Sequence, residues 1–301
     1  MKLEGKVENM NIGEDFFNCN ISTADGTKYN IKLTKEQAAE IKINKVYLFE
    51  VEETLNHNNK TQYILNDFQD LIESIDDFLE IKEKLRNYYN FSELPVKDIK
   101  KKIESYLNQI ENKIIKEITT NLYNRYQKNF YIYPAAVRFH HAYIGGLSHH
   151  TKTMLRIAEG ILEVYDFINK DLVYAGIILH DLCKVVELGG FEAEEYSVEG
   201  QLIGHLVMIS QELVVEAARL GYEDSEEVLM LNHILLSHHG LPNFGSARRP
   251  QTAEALLVWY IDTIDSKFAV IGEELKEIKE GEFTGNISVA DRMKFYKNKI
   301  K

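Results

Sequence analysis

The chain has 301 residues, 45% apolar and 27% charged, with only 4 prolines, so it can hold two domains with real cores and is not collagen-like, low-complexity or wholly disordered. A net charge of -12 argues against a protein that coats nucleic acid through a basic surface, but the charge is uneven: residues 81–130 carry net +5, whereas 186–227 hold eleven acids against Arg219 alone, where a polyanion is expected to stay away. Two cysteines, Cys19 and Cys183, cannot build a disulfide framework, residues 1–6 lack the apolar run of a signal peptide, and no segment reaches the roughly 18 apolar residues of a membrane span, so a cytoplasmic protein without membrane attachment is expected.

The first seventy residues have the period of strands. Phe17, Cys19 and Ile21 alternate with polar residues, Asp25-Gly26 supplies a turn, and Tyr29, Ile31 and Leu33 alternate on the return. Counting 3–10 as the first strand, a short helix over 35–43 follows the third, and strands over 46–51 and 63–68, separated by the polar turn at 57–60, complete the order of a small five-stranded OB barrel. The alternation places the aromatics Phe16, Phe17, Tyr29 and Tyr47 in its core. From residue 72 the period turns helical, with connecting helices over 71–89 and 96–129 broken at Leu94-Pro95 and Tyr133-Pro134. Residues 135–279 read as further helices with breaks at Gly145-Gly146, Gly189-Gly190 and Gly240, and the last twenty residues as a loosely held tail. The expected architecture is therefore multidomain: an all-β OB-like barrel over 1–70, a helical connector over 71–133 and an all-α domain over 134–301.

Nine of the ten histidines fall between 140 and 239, outside the barrel, and this clustering is the main chemical signal. Imidazole and carboxylate suit borderline and hard divalent metals, and helices can bring them to one point from several directions. In Gly176-Ile177-Ile178-Leu179-His180-Asp181-Leu182-Cys183-Lys184 the adjacent His180 and Asp181 can both reach one ion, and the two oxygens of Asp181 could bridge a pair. Lys184 lies over the same face, placed to hold a phosphate.

Five segments in order resemble the HD-domain metal-dependent phosphohydrolases: Gly145-Gly146-Leu147-Ser148-His149-His150-Thr151, His180-Asp181-Leu182-Cys183-Lys184, Gly204-His205, Leu236-Ser237-His238-His239-Gly240, and Ile261-Asp262-Thr263-Ile264-Asp265. Carried over position by position, the resemblance implies one ion held by His150, His180, Asp181 and Asp262, and a second held by His205, His238 and His239 with Asp181 shared. Such a pair implies a water of lowered pKa that attacks phosphorus in line. Asp181 and Lys184 would be catalytic, and Lys184, Arg248 and Arg249 would contact the phosphodiester. A closer resemblance, strongest over 134–270, is to the YhaM-type 3′-to-5′ exoribonucleases, which join an OB fold to an HD domain. It rests also on Pro134-Ala135-Ala136-Val137-Arg138-Phe139-His140-His141, on 171–180 and on 237–250. It implies manganese as the metal, with iron, zinc and magnesium as alternatives, and single-stranded RNA as the partner, with single-stranded DNA beside it. Arg138 and His141 join the expected substrate contacts.

Against a plain helical bundle stand seven ligand-type residues in family order. His149 reads as a neighbour of His150, His233 as structural, and Cys183 as a small helix residue. His140 and His141 are balanced between cleft lining and helix capping, and the basic 81–130 stretch reads as a solvated helical face. Two other functions stay open: an HD phosphohydrolase acting on a nucleotide or cyclic dinucleotide, and an inactive nucleic-acid-binding module. The sequence does not give the oligomeric state.

Overall fold

A computed structural model describes residues 1–300 except 15, 56–58, 90–95, 137–140, 142 and 192–194. The turn expected at 57–60 lies partly, and the Leu94-Pro95 break wholly, outside the described residues. The chain divides into two units, Met1–Asn90 and Phe91–Lys301.

Unit 1 is a closed five-stranded barrel in the order β1-β2-β3-β5-β4. Its strands are β1 (Lys2–Ile12), β2 (Phe17–Ser22), β3 (Lys28–Leu33), β4 (Val46–Leu55) and β5 (Thr61–Asp70), with α1 (Lys35–Glu40) after the third. This is the OB-like order read from the sequence. β1 serves two neighbours: its first half pairs with β4 and its second with β2, and an irregularity between Val7 and Asn9 bends it from one to the other. A parallel pairing of β3 with β5 closes the barrel. Val7, Cys19, Ile21, Ile31, Phe49 and Val51 alternate into the core. Thr34 starts α1 by accepting from Gln37 N while Gln37 caps Thr34 in return. Tyr47 is buried as expected and Tyr29 packs on the core against Tyr63. Phe16, by contrast, is exposed, because it falls in the β1–β2 turn, beyond the alternating register. Short helices α2 (Leu71–Ser74) and α3 (Phe78–Leu85) follow β5, each started by an aspartate, Asp70 and Asp77.

Unit 2 is helical: α4 (Val96–Asn108), α5 (Lys113–Phe130), α6 (Gly146–Leu162), α7 (Lys170–Leu179), α8 (Lys184–Glu187), α9 (Val198–Leu202), α10 (His205–Leu220), α11 (Glu226–Ser237) and α12 (Ala253–Glu277). The 96–129 stretch is two helices, not one. Asp171, some sixty residues on, accepts from the backbone N–H groups of Glu111 and Asn112, and Asn112 then caps α5. α7 is the centre of the unit: all eight residues of 172–179 are buried, and α4, α5, α6, α11 and α12 pack around it. A helix so enclosed reads as apolar all round rather than striped. Residues 71–90 group with the barrel, and α4 and α5 pack against α6 and α7. The tail is more ordered than its polarity suggests: Phe283 pairs with Tyr296, Ile287 with Met293, and a turn over Ser288–Ala290 packs on α12 with Ala290 buried. Among the described residues, no helix is long and apolar enough to cross a membrane.

Candidate metal centre

The ligand-type side chains of unit 2 enter from helix ends and from two helix interiors. His180 is the C-cap of α7, Asp181 follows it, His205 opens α10, His238 is the C-cap of α11 with His239 after it, and His150 and Asp262 project from α6 and α12. The C-terminal positions have a physical logic. The last carbonyls of a helix lack intrahelical partners, and His180 Nδ1 donates to Ile177 O as His238 Nδ1 donates to Leu235 O, both at 2.7 Å. A carbonyl can only accept, so each ring carries its proton on Nδ1 and turns a bare Nε2 inward.

Two groups result. His150, His180 and Asp262 converge, with His150 Nε2 3.3 Å from Asp262 Oδ1 and 3.3 Å from His180 Nε2. Asp181, His205, His238 and His239 form the second, with Asp181 Oδ1 3.2 Å from His205 Nε2 and 3.8 Å from His238 Nε2. Asp181 reaches both groups, for its other oxygen, Oδ2, lies 3.3 Å from His180 Nε2 and 3.8 Å from His150 Nε2. Asp181 Oδ1, His205 Nε2 and His238 Nε2 are buried without a hydrogen-bond partner. Three orphaned lone-pair atoms facing one another are costly unless a cation lies among them, so the donor set fits divalent metal.

The electrostatics agree. Burial alone would raise Asp181, but His180 and Lys184 hold it well below the usual carboxylate range. Asp262 and Asp265 are likewise lowered against burial, by hydrogen bonds to His150 and to His141 and His150 respectively. Burial would depress His150, yet Asp262 and Asp265 outweigh it and raise the imidazole to about 9. Burial pushes His238 well below its ordinary value, helped by the neighbouring His239 ring. The centre thus presents anionic oxygens beside histidines of two kinds: His238, which burial keeps neutral, and His150 and His205, whose pKa neighbouring carboxylates raise against burial and whose proton an ion would replace.

The remaining expected residues fall as follows. Lys184 Nζ is 2.7 Å from Asp181 Oδ2, with its side chain 13% exposed. Arg248 and Arg249 are exposed and line a cavity of about 870 Å³ with Leu229, Met230 and His233; none of the seven converging residues lines it. His141, expected to touch substrate, is instead buried, its Nε2 2.8 Å from Asp265 Oδ2 and its Nδ1 2.7 Å from the Tyr143 hydroxyl, so both ring nitrogens are engaged. Arg138 and His140 lie outside the described residues. His149 contacts the Tyr143 hydroxyl, and burial lowers its pKa to about 4. His233 Nε2 accepts from Gln251 N at 2.8 Å, a structural role. Cys183 is buried, which pushes its thiol up to about 12 and leaves it inert.

Gly146 makes the approach to this centre possible. A Cβ there would fall 1.9 Å from His141 O, so the glycine pair before His149-His150 lets the preceding segment run against the start of α6. Two residues at the site had no role in the sequence reading: Glu187, which meets His205, and Asp265, which meets His141 and His150. The only sequence signal was spacing, since each stands three residues beyond an expected site residue, Lys184 and Asp262.

Residues 147–267 match the family model of the HD domain. The chain is 39% identical over 223 residues to the 3′-5′ exoribonuclease YhaM of Bacillus licheniformis, an alignment spanning 74% of this chain and 68% of that protein. It is 37% identical over 246 residues to YhaM of Bacillus subtilis (80% and 75%), and 42% identical over 194 residues to YhaM of Listeria innocua (64% and 62%). Among solved structures, a chain from "Structure and Conformational Change of a Replication Protein A Heterotrimer Bound to ssDNA" is similar over 29% of this chain and 65% of its own, at 11% identity and a TM-score of 0.20.

Proposed function

The chain belongs to the family of YhaM 3′-5′ exoribonucleases with an HD domain, and from that premise we propose that it removes nucleotides from the 3′ end of single-stranded RNA, and of single-stranded DNA beside it, using two divalent ions. The observation that carries the reading is the set of buried, unpartnered atoms on Asp181, His205 and His238, which stand opposite His150, His180 and Asp262 across one shared carboxylate. In this reading His150, His180, Asp181 and Asp262 hold one ion and His205, His238, His239 and Asp181 the other, with manganese the proposed metal. When bound, such a pair supplies an activated water and neutralises charge on the phosphoryl oxygens.

The chain's own residues do the rest. Asp181 bridges the two groups, and its carboxylate keeps its charge far below neutral pH. Lys184 is charged at neutral pH, because Asp181 outweighs the effect of burial, and it offers an ammonium to a non-bridging phosphate oxygen. The buried rings exclude bulk water from the reacting phosphate. We assign single-strand guidance to the barrel over 1–70 and hydrolysis to the domain over 134–301, onto which α4 and α5 of the 71–133 segment pack, and a cytoplasmic location to the whole.

The test is a 5′-labelled single-stranded RNA with manganese, resolved on a sequencing gel beside the Asp181→Ala variant. A ladder shortening from the 3′ end and absent in the variant is expected. Intact RNA together with cleavage of a nucleotide or cyclic dinucleotide would overturn the exonuclease reading.

A further inference from the structure

Of the five candidate ligand histidines, four, His150, His180, His205 and His238, divide by what holds the ring nitrogen other than Nε2. His180 and His238 use the carbonyls three residues back, Ile177 O and Leu235 O. His150 and His205 cannot. His150 lies inside α6, where the carbonyls belong to the helix, and His205 is the first residue of α10, with no turn of its own helix before it. In both cases a carboxylate stands in: Asp265 Oδ2 is 2.6 Å from His150 Nδ1 and Glu187 Oε2 is 2.8 Å from His205 Nδ1. One such pair falls in each converging group.

We infer that Asp265 and Glu187 are positioning residues, one for each ion: Asp265 fixes His150, and Glu187 fixes His205, with Nε2 inward, so that two carboxylates that are not ligands set the two affinities separately. This rests on the two-ion reading above. A ligating histidine whose N–H meets a carboxylate has its tautomer and ring angle fixed and its basicity raised, and losing the partner typically weakens metal binding about 10–100-fold.

Both carboxylates are themselves held. Asp265 is only 7% exposed in its side chain and also accepts from His141, which the Tyr143 hydroxyl braces on its other nitrogen. Glu187 accepts from His205 N through Oε1 at 3.1 Å, and its own carbonyl receives Ser197 N at 2.9 Å. A Cβ at Gly200 would lie 2.2 Å from that carbonyl, so α9 packs directly on the Glu187 backbone. The cluster His141, His150 and Asp265 is not a third ion site. Ligands at about 2.1 Å from one ion stand about 3 Å or more apart, whereas Asp265 Oδ2 is 2.6 and 2.8 Å from the two rings, which are hydrogen-bond lengths.

The experiment is calorimetric titration of the full chain with Mn²⁺, comparing wild type, Asp265→Asn and Glu187→Gln, with His150→Ala and His205→Ala as ligand-loss references. Two binding steps are expected for the wild type. Asp265→Asn should weaken by about 10–100-fold the step that His150→Ala abolishes, and Glu187→Gln the step that His205→Ala abolishes. Excess Mn²⁺ should restore RNA hydrolysis to both carboxylate variants, which a merely misfolded protein would not allow. A measurement needing no variant guards against misfolding: long-range ¹⁵N–¹H spectra of Zn²⁺-loaded wild type should show His150 and His205 protonated on Nδ1. Unaltered steps in both variants, or either ring bare at Nδ1, would overturn the inference while leaving the two-ion reading intact. A wild type that binds no second ion would sink both.

Discussion

Gly240 and Trp259 show how single residues shape the chain that follows His239. The chain turns out of α11 at Gly240, whose φ is +73°, and a Cβ there would lie 1.9 Å from Trp259 Cε2. Gly240→Ala therefore combines left-handed strain of about 1–2 kcal/mol with overpacking of about 1–3 kcal/mol. We expect a loss of about 3 kcal/mol in chemical denaturation. Trp259 is the only tryptophan, so its emission should shift in the folded variant. An unchanged spectrum and midpoint would show that the ring does not rest on the glycine. At this scale the sequence displayed its ligand-type residues through the clustering of histidines and through the resemblance of five ordered segments to the HD-domain phosphohydrolases. It did not display Glu187 or Asp265, since a glutamate in an acidic run and an aspartate on a helix look like solvated charges until their partners are in place.

Between elements, the contacts that hold the centre are both tight and polar. α7 and α11 approach at Gly176, where a Cβ would meet Ile234 Cγ2 at 2.7 Å. Gly176→Val should cost about 2 kcal/mol, because overpacking of about 1–3 kcal/mol exceeds the gain of under 1 kcal/mol in helix propensity. It should also weaken Mn²⁺ binding, since α7 ends at His180 and α11 at His238. α5 and α10 meet through the buried Glu216, which accepts from Asn121 and from Arg125 and Arg219. The Arg219 hydrogen bond leads in lowering the Glu216 pKa, against burial, to about 2 from the ordinary 4.5. A lowered carboxylate stabilises the fold fully above about pH 4.5, and that contribution fades as pH falls towards 2. Glu216→Gln should cost about 1–2 kcal/mol at pH 7, since solvent screens the half-exposed arginines, and it should flatten the loss of stability between these pH values. Equal acid sensitivity in wild type and variant would contradict this. Periodicity revealed these helices but not where they break, because the end of α4 is set by Asp171, a partner far along the chain.

For the molecule as a whole, charge on paper and charge available to a ligand differ. Of the net +5 stretch over 81–130, Lys84 pairs with Glu4, Lys102 with Glu159 and Arg125 with Glu212 and Glu216, all acids outside the stretch. The acidic stretch over 186–227 is likewise partly consumed, by His205 at Glu187 and by Arg125 at Glu212 and Glu216. An RNA held mainly by Lys184, Arg248 and Arg249 should lose affinity with log salt at a slope of magnitude about 2, at about 0.7 per neutralised phosphate on a single strand. A slope of magnitude about 6 would mean that the basic stretch carries the strand instead.

The sequence by itself determined the order of the barrel strands, the helical character of the remainder and the identity of the residues that converge on Asp181. The elements follow from local periodicity, whereas the candidate ligand set follows from residue chemistry together with the resemblance of five ordered segments to the HD-domain phosphohydrolases. The tertiary structure alone decided the burial and bracing of His141, the exposure of Phe16, the split of α4 from α5, the placing of Arg248 and Arg249 on a cavity with Leu229, Met230 and His233, and the two carboxylates behind His150 and His205. Each of those depends on a partner distant in the chain or on the face a side chain presents after packing. Such pairings have no period in the sequence, because the chain creates them only when it closes on itself.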